Sequence, residues 1–306
     1  MNFIGNKLYI APLKGGIMSK KNVGFVGLGL MGLAMATRLS KAGYVLIIHN
    51  RTKSKGESLL AAGARWGNTP ADVSQESEVV FSMISTPAVL QEIATGSGGI
   101  MRGLRDGGVH VDCSTVSPSV TRRLEEEYAS HGRAFLHCPV LGSVPQATDG
   151  SLLLLLGGAP SAREEVEPAL KHLGSKIWKF DRAEDASHAK LLCNLFIAGA
   201  ITTLVQAIVF AERASVPPKT ILDIIGNSAL NSPMYQAKGK SILDGNFAPR
   251  FFTEHMLKDV SLMIEAASEK GVRLPTIEVA QRLLEQAVER GFGKEDYSAV
   301  FKVMRD

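Results

Sequence analysis

Three groups of residues in this chain have the types and spacing to do chemistry. The first is Gly27-Leu28-Gly29-Leu30-Met31-Gly32, a G-x-G-x-x-G run between an apolar stretch and an amphipathic one. Such a run turns tightly at its first glycine, lets a pyrophosphate approach at the second and lets the next helix pack closely at the third. The helix that follows offers the N–H groups of its first turn to phosphates. The second group, Asn50-Arg51-Thr52, closes the next apolar run, where NAD-binding chains place an Asp or Glu for the ribose hydroxyls. A carboxylate there would repel a 2′-phosphate. Arg51 can hold one bidentately, with Asn50 and Thr52 donating, so the spacing predicts NADP(H), with NAD(H) as the second choice. The third group is Lys190 and Asn194, one helical turn apart on one face. A lysine at the edge of an apolar helix is desolvated, which brings its pKa towards the range useful for proton donation. On physical grounds alone, a lysine that snorkels out of a helix end is the simpler reading.

The elements that must position these groups read as follows. Val23–Val26, Val45–Ile48, Val79–Ile84, Val109–Asp112, Ala134–His137, Leu152–Leu156 and Lys176–Phe180 are strand-like runs, and helix-like runs stand between them. This alternation predicts an α/β Rossmann domain, with a doubly wound, mostly parallel sheet, over residues 18–182. A ligand should lie beyond the carboxyl ends of the strands, which carry Gly27–Gly29, Asn50–Thr52, Ile84–Pro87 and Ser114-Thr115. After about residue 183 only helical periods appear, punctuated by Pro217-Pro218, Pro233 and Pro249. An all-α domain over 183–306 is expected, joined by a long interdomain helix at about 186–213. Residues 1–17 read as a loose extension, since Met18-Ser19-Lys20-Lys21 looks like a more natural start.

Composition narrows the class. With 306 residues and 45% hydrophobic residues, one large or two moderate cores are affordable. The net charge of +4 without a polybasic tract does not suggest nucleic acid. The 7 His are scattered without metal spacing, and Cys113, Cys138 and Cys193 form no C-x-x-C, which fits a reduced, cytoplasmic protein with no metal site. Leu191–Ala211 is charge-free and long enough to span a bilayer, but it carries Asn194, Thr202, Thr203 and Gln206. A helix buried between two domains, and no membrane, is the expectation.

The motifs together resemble the β-hydroxyacid dehydrogenase family, over about Asn22 to Met304. Gly24-Phe25-Val26-Gly27-Leu28-Gly29-Leu30-Met31-Gly32 is similar to its cofactor signature. Asp112-Cys113-Ser114-Thr115 is similar to its D-x-S-T motif, Lys190-Leu191-Leu192-Cys193-Asn194 to its K-x-x-x-N motif, and Lys258-Asp259 to its C-terminal Lys-Asp pair. The resemblance implies a Rossmann domain followed by a helical one, and hydride transfer between a nicotinamide and a small aldehyde, keto acid or β-hydroxyacid. It makes Lys190 the general acid/base. It assigns Ser114, Gly142, Ser143 and Asn194 to the substrate, and Ile84, Thr115 and Lys258 to the cofactor beside Gly27, Leu28, Gly29, Leu30, Met31, Asn50, Arg51 and Thr52. Asn50-Arg51-Thr52 resembles the NADPH-using branch that contains glyoxylate and succinic semialdehyde reductases. A homodimer or homotetramer is implied.

Two places depart from the family pattern. Pro139-Val140-Leu141-Gly142-Ser143 stands for the usual P-V-S-G-G or P-V-S-G-S, so Leu141 replaces a serine that helps to hold a carboxylate. The Gly142 and Ser143 amides and the Ser143 hydroxyl are expected to remain as donors. Glu184-Asp185-Ala186 stands where the family shows G-x-G. Both changes are expected to face the site, and Leu141 favours a larger or less polar carbonyl compound. Two rivals follow. Imine reductases resemble this architecture but usually carry Asp or Tyr at the position of Lys190. A non-catalytic cofactor-binding scaffold is disfavoured by the presence of that lysine.

Overall fold

The computed structural model describes residues 22–306, so the expected extension over 1–17 lies outside the described residues. Nine strands form one sheet: β1 (Asn22–Val26), β2 (Val45–His49), β3 (Arg65–Trp66), β4 (Val79–Ser82), β5 (Val109–Asp112), β6 (Ala134–His137), β7 (Val140–Leu141), β8 (Leu152–Gly157) and β9 (Gly174–Phe180). Their order begins β3-β2-β1-β4-β5-β6, all parallel, which is the dinucleotide-binding order. β8 then runs antiparallel to β6 and β7, and β9 pairs parallel with β8.

Side chains alternate between the two faces along each strand. Phe25, Phe81, Val111 and Leu136 pack in one apolar cluster, while Val26, Val80 and Phe135 pack in another. Both faces are therefore covered, as the near-continuous apolar runs require.

The chain divides into two compact units, one up to Lys190 and one from Leu191 to Asp306. Helices Pro218–Gly226, Pro233–Leu243 and Pro275–Ala287 of the second unit each begin with proline near the first position, where no N–H is needed. The long helix is Ala183–Arg213, three residues earlier than the sequence suggested. The reason is a tie from elsewhere: the Ala183 amide donates to Glu125 Oε2 at 3.0 Å. Glu184 and Asp185 in the first turn also suit the positive end of the helix dipole.

This helix is not buried all round. Leu191, Ala198, Ile201, Leu204, Val205 and Ile208 enter the core of the second unit, where Met256, Val260, Ile277 and Val300 meet them. Leu192, Phe196 and Phe210 are instead 60%, 76% and 75% exposed. Among the described residues it is the one helix long and apolar enough to cross a membrane, and a core helix passes the same test.

Candidate active site

The glycine turn is built as a cradle. Gly27 sits at φ +97°, and a Cβ there would lie 2.4 Å from the Met83 carbonyl oxygen. At Gly32 a Cβ would lie 2.0 Å from the Gly27 carbonyl oxygen, which is how the helix Leu30–Lys41 comes close to β1. Gly29 differs: a Cβ would meet nothing within 4 Å among the described residues. None of the described residues needs Gly29 to be bare, so its bareness suits an incoming ligand. The helix has Gly29 as its N-cap, no side-chain cap and no acidic residue in its first turn. These are the properties of a phosphate site, and the residues fit a dinucleotide. Leu30 is exposed there and Met31 half-exposed. Leu28 is not available in the same way. Its side chain is buried, and its amide donates to Asn50 Oδ1 at 2.9 Å.

Asn50 therefore ties loop to loop. Its Oδ1 holds Leu28, and its Nδ2 donates to the Thr52 carbonyl at 2.9 Å. This clamp shapes the turn and leaves the second Nδ2 hydrogen of Asn50 for the expected donation to a 2′-phosphate. Arg51, Thr52, Lys53 and Lys55 are exposed beside it, and Lys53 Nζ lies 5.5 Å over the Trp66 ring. Among the described residues no ion pair engages Arg51.

Behind the ends of β4 and β5 lies a fully buried polar chain. Asp112 Oδ1 accepts from Ser114 Oγ at 2.6 Å and from Ser82 Oγ at 2.7 Å. Ser82 has one proton, so it must receive the one from His110 Nε2, 2.8 Å away. His110 Nδ1 lies 2.9 Å from the Tyr128 hydroxyl, whose one proton is shared with the Ala94 carbonyl at 3.2 Å. Burial pushes the His110 pKa down to about 4, against the pull of Asp112, which keeps this ring neutral at pH 7. Burial pushes the Asp112 carboxyl up, but the His137 ring, with Nδ1 3.2 Å from Asp112 Oδ2, and the bond from Ser114 outweigh it and hold the group below its ordinary value.

The consequence for Ser114 is a correction. Its hydroxyl proton goes to Asp112, and its oxygen accepts from the Ile84 amide at 2.8 Å. Fully buried, it has no proton to give a substrate carboxylate. It anchors the Ile84 loop instead, so Ile84 is held in place at the end of β4. Thr115 follows, half-buried.

The substrate loop needs a second correction. Ser143 is the N-cap of the helix Val144–Asp149, and its amide donates to Gln146 Oε1 at 2.9 Å, which removes one expected donor. Gly142 remains exposed at φ +133°. Leu141 pairs with Leu153 across β7 and β8 and is half-buried. Glu184 and Ala186, expected to face the site, do other work. The nearly buried Glu184 pairs with Arg122 at 3.5 Å and Arg182 at 2.5 Å. Ala186 is buried close to Gly157, where a Cβ would come within 2.9 Å of it. The departure from G-x-G thus builds the start of the long helix.

Lys190 is half-buried on that helix. In the second unit Asn194 is 3% exposed, and its Nδ2 donates to Asp259 Oδ2 at 2.7 Å. Lys258 Nζ lies 2.7 Å from the other oxygen, Asp259 Oδ1. Asp259 Oδ1 and Asn194 Oδ1 are both buried and have no hydrogen-bond partner among the described residues. Sequence reasoning noted Asp259 only as part of a pair. Its link to Asn194 spans 65 residues, and no local pattern signals it.

Comparisons with known proteins give the family. Residues 22–180 match the family described as the NAD-binding domain of 6-phosphogluconate dehydrogenase. Residues 185–304 match that described as NAD-binding of NADP-dependent 3-hydroxyisobutyrate dehydrogenase. Glyoxylate/succinic semialdehyde reductase 1 of Arabidopsis thaliana is 30% identical over 283 residues, covering 92% of this chain and 98% of that protein. The chain belongs to the β-hydroxyacid dehydrogenase family. Among solved structures, 3-hydroxyisobutyrate dehydrogenase of Mycobacterium tuberculosis with L-serine has a TM-score of 0.85 and 25% identity, covering 94% of this chain and 100% of that one. An imine reductase of Myxococcus stipitatus with NADP+ shares the fold at a TM-score of 0.64 and 19% identity, covering 92% and 99%. As a β-hydroxyacid dehydrogenase, this protein is an NAD(P)-dependent oxidoreductase acting on hydroxyl or carbonyl groups of a small molecule.

Proposed function

We propose that this β-hydroxyacid dehydrogenase is an NADPH-dependent reductase of small aldehydes or keto acids, with Lys190 as its general acid. The observation that carries the reading is the pairing of Lys190 with a buried, anchored Asn194 one turn later on one continuous helix. When bound, the nicotinamide supplies or accepts the hydride. Lys190 Nζ gives a proton to the carbonyl oxygen as it becomes a hydroxyl, and takes it back in the reverse direction. Asn194 orients that oxygen. The exposed Gly142 backbone and the Ser143 side chain are the candidates for a substrate carboxylate, with Leu141 favouring a larger or less polar carbonyl compound. Lys258 is a cofactor contact in the same reading. The L-serine in the mycobacterial relative supports a substrate with a hydroxyl β to a carboxylate.

Arg51, exposed and without an ion pair among the described residues, supports NADPH over NADH. The apolar face of the long helix supports assembly with a second copy, as a homodimer or homotetramer.

A panel of glyoxylate, succinic semialdehyde and a cyclic imine, each with NADPH and NADH, tests the reading by loss of reduced cofactor. Turnover of the aldehydes with NADPH is expected. Turnover of the imine alone would replace the proposal with an imine reductase, to which the shared fold gives some support. Arg51→Ala should lower kcat/KM for NADPH by roughly 10- to 100-fold, the worth of charge-assisted hydrogen bonds, and leave NADH unchanged. An equal loss with both cofactors would refute the phosphate role.

A further inference from the structure

The helix Pro118–Ser130 meets the first turn of the long helix along one face. Thr121, Glu125 and Tyr128 stand at i, i+4 and i+7, a single stripe of that helix. The Thr121 hydroxyl gives its one proton to the Pro118 carbonyl at 3.0 Å, so Ser187 donates to Thr121 Oγ1 at 3.1 Å. Glu125 Oε2 accepts from the Ala183 amide at 3.0 Å, and Arg122, beside the stripe, pairs with Glu184 at 3.5 Å. Ala183 and Ser187 are fully buried. The amides of a helix's first turn have no acceptor within their own helix, and at a buried start they depend on one from outside. Glu125 is that acceptor, and its charge suits the positive end of the helix dipole.

The same stripe is tied at its other end. The Tyr128 hydroxyl lies 2.9 Å from His110 Nδ1, and the buried chain runs on through Ser82 and Asp112 to Ser114. The helix Pro118–Ser130 is thus fixed to the ends of β4 and β5, where Ile84 and Thr115 stand, and clasps the long helix as well. Lys190 follows two turns after Ala183, roughly 10 Å along the axis. All these residues, Lys190 included, belong to the first unit.

We propose that Glu125 is a positioning residue for Lys190: by capping the long helix from its neighbour, it sets where the lysine stands against the ends of β4 and β5. This rests on the reading above of Lys190 as the general acid. Glu125 acts through the Ala183 amide and exchanges no proton in the reaction. A general acid must come within hydrogen-bond reach of the oxygen it serves, and a misplacement of about 1 Å costs on the order of 100-fold. The helix between Ala183 and Lys190 is continuous, so a shift at its start is carried to the lysine.

Glu125→Met and Glu125→Gln test this as a pair. The two replacements are close in length and both lack the charge, but only glutamine keeps an oxygen for the Ala183 amide. Glu125 is half-buried and both replacements are good helix formers, so the fold is kept. With NADPH and the best panel substrate, kcat should fall roughly 10- to 100-fold in Glu125→Met and stay within about threefold of wild type in Glu125→Gln. The dissociation constant for NADPH should stay within about twofold in both, since the glycine turn and Arg51 are untouched. A merely structural role would not spare cofactor binding and would not be rescued by glutamine.

Hydrogen exchange followed by mass spectrometry supplies a readout free of turnover. Amides of residues 183–190 should exchange faster in Glu125→Met than in wild type or Glu125→Gln, while those of the helix Pro275–Ala287 stay unchanged. Equal kcat in all three proteins overturns the proposal, and so does an equal loss in both variants. Unchanged exchange over 183–190 in Glu125→Met overturns it as well. If wild type turns over none of the hydroxyacids or carbonyls, the general-acid reading fails and the positioning of a catalytic lysine fails with it. The exchange comparison then still decides whether Glu125 sets the start of the helix.

Discussion

Gly29 and Gly32 belong to one turn, yet their surroundings separate binding from folding. A methyl at 32 would collide with the Gly27 carbonyl at 2.0 Å, whereas a methyl at 29 would meet nothing among the described residues. Gly32→Ala should therefore cost about 3 kcal/mol or more of stability. Gly29→Ala should change stability by less than ~0.5 kcal/mol, yet weaken NADPH binding about tenfold, because the methyl occupies the space of the pyrophosphate. Urea unfolding beside a fluorescence titration with NADPH checks both. A Gly29→Ala protein with normal cofactor affinity would contradict the cradle. At this scale the glycines were legible, because their requirement is local. The state of Ser114 was not, since its proton is claimed by Asp112 and its oxygen by an amide 30 residues away. The tie of Asn50 to the turn was illegible for the same reason: its carbonyl answers Leu28, 22 residues back along the chain.

Among the elements, the long helix shows most clearly what periodicity can and cannot say. Its charge-free length announced a helix, but not which face would be covered. Leu191, Ile201, Leu204 and Ile208 are buried, and Leu192, Phe196 and Phe210 stand outside. Three large apolar side chains along one exposed face favour contact with a second copy of the chain. Light scattering after size exclusion should show a species of two or four chains, and Phe196→Ser with Phe210→Ser should shift it to smaller mass at ~10 μM, as lost anchors weaken an interface. A wild-type monomer at that concentration would remove the proposal. The short strands β3 and β7, two residues each, were illegible because neither is long enough to show alternation. They exist through pairing with β2 and β8. The start of the long helix was set by Glu125, from a helix far away in sequence.

For the whole molecule, the buried chain from Tyr128 to Asp112 predicts a pH signature. In the unfolded state His110 takes a proton near 6.5, and in the fold only near 4. Between those values the unfolded chain binds more protons, so stability falls as pH falls through the window, by about 3 kcal/mol in all. Asp112 acts lower, below its ordinary 3.8, where its hydrogen-bonded charge is lost. His172 and His255, both lowered chiefly by burial, add to the slope in the same direction as His110. Urea midpoints measured from pH 7 to 4.5 should decline in wild type and decline less in His110→Gln. A flat wild-type profile would refute the neutral, buried ring.

The two units supply different things: a nucleotide cradle made by sheet order and glycines, and a helical set of Lys258, Asp259 and Asn194. The helix Ala183–Arg213 carries Lys190, the proposed general acid. The most direct test is Lys190→Ala, with turnover of the best panel substrate and NADPH affinity measured on the same preparation. A loss of roughly 10²- to 10⁴-fold in kcat with unchanged cofactor binding is the expected result for removal of a general acid. Near-normal turnover would contradict the account.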